Sequence, residues 1–162
     1  MSEALDNLQQ LERVEAAIAR TLKSVPSLAN VLDHEPLGII EELPVAYIRW
    51  LGPVSIVTAA TGGEQDVTHA WRLEISVDVD VDDPEQAQTE LKQLVQGVTL
   101  GFRENPRLYT VGEEPIVDDT RLEISSEAEY FRRPALDGSP LGPILYGLVF
   151  RLEADFTEYV IA

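Results

Sequence analysis

The chain of 162 residues contains no cysteine, which excludes disulfide bonds and thiolate metal sites. No apolar run approaches the ~18 residues needed to span a bilayer. The first residues lack the basic start and apolar core of a signal peptide, so we expect synthesis in the cytoplasm. Basic residues are scarce as well, because 12 Lys and Arg stand against 29 Asp and Glu, giving a formal net charge of −17. We expect such a surface to bind nucleic acid and anionic membranes only weakly, since both are bound mainly through Lys and Arg.

The acidity itself has two interpretations. Negative charge keeps a protein soluble, and it also suits a surface that must lie close to nucleic acid without binding it. Both halves of the chain are acidic, so the charge belongs to the whole surface and not to a tail.

Sequence motifs of enzymes are not found. The two histidines, His34 and His69, are isolated from each other, and no HExxH, GxSxG or GxxxxGK[ST] pattern occurs. The sequence therefore predicts no enzymatic activity, no catalytic residue and no cofactor.

Two amphipathic helices are predicted. The first covers residues 2–23, where Leu, Val and Ile recur at steps of three and four, and it ends at Pro26. The second begins after Asp83, a preferred N-cap followed by Pro84 at the first helical position, and ends before Asn105.

Strands are predicted at 43–50, 53–60, 69–81, 120–130 and from 144 onward, with a largely irregular connector over 26–43. The 69–81 segment alternates strictly between apolar and polar residues, which predicts a long strand with one buried and one wet face. We expect a single α+β domain over 1–162, with the sheet and second helix over 43–160. Its sheet is mainly antiparallel, with about four long strands and the two helices packed on one face.

The stretch ISVDVDVDDPEQ (75–86) spaces Asp78, Asp80 and Asp82 two apart, which raises the question of a metal site. A calcium loop starting at Asp78 would require glycine and glutamate where Asp83 and Thr89 stand. The alternation instead assigns Asp78 and Asp80, together with Glu74, to a candidate acidic face of the sheet, and no metal site is predicted.

A second candidate surface is the loop over 132–143, which holds three prolines and two glycines. Arg132, Arg133 and Asp137 are its candidate partner-contact residues, with an ordinary surface loop as the alternative. The turn region 60–68 is a further candidate for contacts.

The order of these elements resembles that of the tail terminator (tail completion, or head–tail joining) proteins of long-tailed bacteriophages. The similar stretches are LQQLERVEAAIARTLKSV, LPVAYIRW, WRLEISVDVDVDDPEQAQTELKQLVQGV and GPILYGLVFRLEADFTEYV. The resemblance covers about residues 5–160, and the segment 50–68 departs from it as an extended insertion.

The resemblance implies a structural virion protein without catalytic residues, assembled in the host cytoplasm. It implies a homo-oligomer, a hexameric ring, that caps the tail tube, meets the tail tube protein and the head–tail connector protein, and lets DNA pass through an acidic conduit without specific binding or membrane contact. The alternatives are a neck ring that completes the connector, a soluble small-ligand-binding domain, and a divalent-metal enzyme built on Asp78, Asp80 and Asp82.

Overall fold

The computed structural model describes the backbone of residues 3–40, 42–61, 64–109, 115–134, 136–137 and 142–161, and the side chains of 10–40, 42–52, 70–109, 115–134, 136–137 and 142–156. Two long helices and six strands follow one another along the chain. They are α1 (Glu3–Lys23), β1 (Asn30–Leu32), β2 (Val45–Thr61), β3 (Glu64–Asp80), α2 (Pro84–Glu104), β4 (Asp119–Ile124), β5 (Glu129–Arg132) and β6 (Ile144–Ile161).

The six strands form one mixed sheet in the order β1-β2-β3-β6-β4, and β5 also pairs with β6. The α+β class is confirmed, and every strand pair is antiparallel except β1 with β2, which is parallel. The prediction of about four strands is corrected to six. β1 lies in the connector that was predicted to be irregular, and the predicted strand over 120–130 is divided into β4 and β5.

The two predicted early strands are a single strand, β2, with an irregularity between Trp50 and Gly52. Gly52 has φ +136°, a backbone conformation that favours glycine. The extra residue of the bulge is Leu51, because Trp50 and Gly52 pair with the consecutive residues Leu73 and Arg72, and the strand continues through Pro53.

α2 begins and ends where the sequence predicts. The Asp83 carboxylate accepts a hydrogen bond from the Glu85 backbone N–H (3.1 Å), Pro84 follows the cap, and Asn105 is the C-cap. Both helices lie on one face of the sheet, as expected.

The core between helices and sheet is formed by the alternating apolar residues of the strands and the apolar stripes of the helices. On β3 these are Trp71, Leu73, Ile75, Val77 and Val79, all at most 5% exposed, and α2 contributes Ala87, Leu91, Leu94, Val98 and Phe102. α2 approaches the end of α1 closely, since a Cβ on Gly101 would lie 3.5 Å from Thr21 Cγ2 and one on Gly97 would lie 2.9 Å from Cγ1 of Val25, just beyond α1.

The opposite, outer face of the sheet is partly covered by two loop segments. The Gly142 N–H donates to the Arg133 carbonyl (3.1 Å). A Cβ on Gly38 would lie 3.0 Å from Leu136 Cγ, and a Cβ on Gly142 would lie 3.0 Å from Ile39 Cγ1. The loop that precedes β2 therefore packs against the loop that precedes β6, and the expectation of one wholly solvated sheet face is wrong at this end.

Candidate functional site

The outer face of the sheet carries rows of alternating charge that cross several strands. Arg49 on β2 lies 2.9 Å from Glu74 on β3, and Glu74 is paired in register with Arg151 on β6, which is paired with Glu123 on β4. Positive and negative side chains therefore alternate across four strands, and directly opposite ions of unlike sign favour this pairing of strands.

A second row lies one step along the same face. Arg72 Nε lies 3.3 Å from Glu153 Oε1, and Glu153 is paired in register with Arg121 of β4. The Arg72–Glu153 contact is an ion pair without hydrogen-bond geometry, since Arg72 Nε has no hydrogen-bond partner within the described residues. Glu74 was predicted to belong to an acidic face, and this is corrected because the face around it is charge-balanced.

Asp78, the second residue of the predicted acidic face, is buried, with only 2% of its surface exposed. The alternation of β3 predicts a solvated Asp78, which is wrong because the two loop segments cover the outer face at this point. Its register partner on β6 is Gly147, and a Cβ there would overlap the Asp78 carboxylate. The glycine therefore provides the space in which the carboxylate lies against the neighbouring strand.

The carboxylate of Asp78 is incompletely compensated. Its Oδ2 accepts no hydrogen bond from the described part of the chain. Desolvation by burial raises the pKa of Asp78 to about 6, although the charge of Arg133 opposes the rise. Asp78 thus titrates close to neutral pH, unlike an ordinary surface aspartate.

Arg133 was predicted to be a partner-contact residue, but it points inward and is half-buried. Its guanidinium lies over the Tyr47 ring, 4.9 Å from the centroid, and Arg133 Nη1 donates to the Pro36 carbonyl (3.2 Å). Arg133 therefore has an internal role. It contacts β2 through Tyr47, contacts the loop that precedes β2 through Pro36, and places a positive charge beside Asp78. Its prediction as a contact residue is therefore corrected.

The remaining predicted site residues are exposed. Asp80 ends β3, and its exposed acidic neighbours Asp82, Asp83 and Glu85 lie at the β3–α2 joint. Arg132 and Asp137 are exposed beside the loop that precedes β6. Asp80 lies on the same face of β3 as Glu74 and Asp78, but Asp78 is buried between them, so the three do not form a continuous exposed acidic surface.

Within the described side chains, no group of three or more His, Cys, Asp or Glu is arranged to hold a metal ion. One feature of the sequence marks the buried position of Asp78. Gly147 interrupts the alternation of β6 at the position that faces Asp78.

No helix in the described part of the chain is long and apolar enough to cross a membrane. Comparison of the chain with protein-family models and with curated proteins finds no match.

Proposed function

We propose that this chain is a structural ring protein of a long-tailed bacteriophage, which caps the tail tube and joins it to the head-side connector. The proposal starts from the resemblance in the order of elements. An opening helix, a strand, a long strand leading into an Asp-Pro-capped helix and a long final strand all follow in that order in the fold.

The observation that carries the proposal is the length of the paired strands. β2 and β3 have 17 residues each and β6 has 18. The backbone pairing of β3 with β6 runs from Glu64 and Ile161 to Asp80 and Leu145, and that of β2 with β3 reaches Thr61. A strand of this length spans about 56 Å at ~3.3 Å per residue.

Three paired strands of this length support an assembling protein. Strands of globular domains usually have about 3–10 residues, whereas copies in a ring can pack longer strands against one another. Contacts between unlike surfaces that repeat by rotation close into a ring.

The proposal keeps an acidic conduit, but it assigns the wall of the conduit to other acids than Glu74 and Asp78. Glu74 is ion-paired and Asp78 is buried, so they are poor candidates for a wall that repels DNA. The exposed acids Asp80, Asp82, Asp83 and Glu85 at the β3–α2 joint are better candidates, since fully hydrated charges of one sign create the repulsive field.

The first test of the proposal is assembly. Purified protein, alone and with the tail tube protein or the connector protein, is analysed by native mass spectrometry and negative-stain electron microscopy. We expect rings of six copies that bind the end of the tube. Rings that bind the connector and not the tube would assign the protein to the neck, and absence of rings under all three conditions would refute the proposal.

The conduit is tested separately with single cysteines, since the natural chain has none. Asp82→Cys and, as the control, Glu123→Cys on the outer face are treated with a bulky maleimide before and after ring formation. We expect assembly to slow labelling at position 82 more than at position 123. Equal labelling at position 82 in free and assembled protein would contradict its place on the wall.

A further inference from the structure

The two sides of the domain carry different grooves at the two edges of the sheet. The α1 flank is the groove between α1 and edge strand β1, and it includes Glu12, Glu15, Arg20, Lys23 and Asp33. The α2 flank is the side on which α2 meets β4, β5 and β6, and it includes Lys92 and Arg103. α1 lies over β1 and β2 and α2 over β3, β6 and β4, so the flanks face away from each other.

The α1 flank is open along a strand edge. Its groove has a volume of about 720 Å³, and β1 is the last strand on that side of the sheet. The Asn30 N–H donates toward β2, to the Pro44 carbonyl. Successive residues of a strand direct their backbone groups to opposite sides, so Val31 directs its N–H and C=O toward the groove. An open edge of this kind is suited to another chain.

The acids of the α1 flank are not fully neutralised. Burial, together with the neighbouring charges of Asp33 and Glu12, raises the pKa of Glu15. The charges of Glu12 and Asp33 thus both act unfavourably on Glu15, although Arg20 and Lys23 line the groove as well and Asp33 Oδ1 lies 2.8 Å from His34 Nδ1. A positive group brought to this side would relieve that repulsion.

The α2 flank has the opposite character. Its two grooves, of about 370 and 300 Å³, are lined by two bases and no acid. In a chain with 29 acids and 12 bases, two neighbouring grooves lined by bases and by no acid are unusual. Ile124, on the helix-facing side of β4 at the same sheet edge, is 58% exposed and offers an apolar contact beside the charges.

We infer that copies of this chain associate head to tail, with the α2 flank of one copy docked on the α1 flank of the next. One of the two bases, Lys92 or Arg103, would then face Glu12 and Glu15 of the neighbour, and the other would lie about 16 Å farther along the contact, since 11 residues separate them on α2. The exposed Ile124 side chain would lie along β1. Because the two surfaces are unlike, the contact is heterologous and repeats around a ring. The inference rests on the proposed ring and names the surfaces that close it.

The test is a charge exchange. One variant carries Lys92→Glu with Arg103→Glu, and the other carries Glu12→Lys with Glu15→Lys. The control for the first variant, Arg13→Glu with Arg107→Glu, makes the same change in net charge as that variant at exposed residues that line neither groove set. Circular dichroism verifies the fold of each variant, and sedimentation velocity with native mass spectrometry measures the assembled fraction, with tube protein present if the wild type needs it.

We expect each exchanged variant alone to lose assembly by about tenfold or more, because like charges then face each other across the contact. An equimolar mixture of the two variants restores assembly, since each mutated flank meets a complementary one, and the fourfold variant restores it in a single chain. The control assembles like the wild type.

Three results would overturn the inference. The exchanged variants could assemble normally, the mixture and the fourfold variant could both remain unassembled, or the control could lose assembly to the same extent. In each case, rings of the wild-type protein would leave the proposed function standing. A wild type that never forms rings would refute both the inference and the proposed function. Tight binding of an acidic partner protein to the α2 flank of that monomer would then assign the flank to the partner.

Discussion

Replacing Asp78 with asparagine keeps the shape of the side chain and removes the charge that the fold buries. The carboxylate is 2% exposed, and its Oδ2 accepts no hydrogen bond from the described residues. Arg133 opposes the burial without cancelling it, because the pKa is still raised from the ordinary value of 3.8 to about 6. We therefore expect Asp78→Asn to stabilise the protein at neutral pH.

The sign and size of this change in the free energy of unfolding follow from proton linkage. The folded chain holds the Asp78 proton more tightly than the unfolded chain. Its contribution to the free energy of unfolding is fully present below about pH 4 and is lost as the pH rises through about 6. At about 1.4 kcal/mol for each tenfold change in proton affinity, the ionised carboxylate costs the folded state up to about 3 kcal/mol above pH 6.

The assay is urea denaturation of wild type and Asp78→Asn at several pH values between 4 and 8. The difference between the two proteins should grow from near zero at pH 4 to at most about 3 kcal/mol at pH 7.5. This corresponds to a rise of roughly 6–12 °C in melting temperature for a chain of this size. Asp80→Asn is the matched control, because Asp80 lies on the same face of β3 and is exposed.

Two results would refute the reasoning. The variant could be less stable than the wild type at pH 7.5, which would show that the carboxylate has strong partners in the folded protein. The difference could also be independent of pH, which would show that the titration of Asp78 is not coupled to folding. A rise of equal size in Asp80→Asn would attribute the effect to net charge instead of burial.

Three further substitutions test the same reading of the fold. Gly147→Ala places a Cβ into the Asp78 carboxylate and should destabilise by about 1–3 kcal/mol in urea denaturation; wild-type stability would contradict the packing. Arg133→Ala should cost about 1–3 kcal/mol through its lost ring and carbonyl contacts and should raise the Asp78 pKa further. The control is Arg132→Ala at the exposed neighbour, which should change the free energy of unfolding by no more than about 0.5 kcal/mol. An equal loss of stability in the two variants would indicate that Arg133 lies on the surface. Asp83→Ala removes the cap of α2 and should lower stability by about 0.5–2 kcal/mol, measured as the urea midpoint, whereas no change would show that the cap bond is not formed in solution.

The elements that sequence predicts well here are those fixed by local chemistry. Both ends of α2 follow from Asp83, Pro84 and Asn105, which act on their own neighbours in the chain. The core face of β3 follows from the alternation itself, because a period of two leaves only one way to bury the valines. These inferences required no knowledge of the rest of the fold.

The elements that sequence predicts poorly depend on distant partners. β1 has only three residues and is a strand because it pairs in parallel with Val45–Tyr47. Its own sequence, NVL, carries no alternation long enough to detect. Asp78 and Arg133 are 55 positions apart, and polar residues in an alternating strand or a proline-rich loop are ordinarily solvated. Only the packing of the two loop segments reverses that expectation, so neither residue could be placed correctly beforehand.

The ion-paired rows of the outer face also constrain how a ring could be arranged. Five of the 12 basic residues in the chain lie on or over this face, namely Arg49, Arg72, Arg121, Arg133 and Arg151. Among the described residues its strands carry the acids Glu74, Asp78, Asp80, Asp119, Glu123, Glu129, Glu153 and Asp155. This small local excess leaves most of the net charge of −17 to other surfaces. A conduit that repels DNA needs unpaired negative charge, and ion-paired rows supply little of it. If the proposed ring exists, the acidic β3–α2 joint is better suited to face the DNA than the middle of the sheet, and the ion-paired rows serve to hold the strands in register.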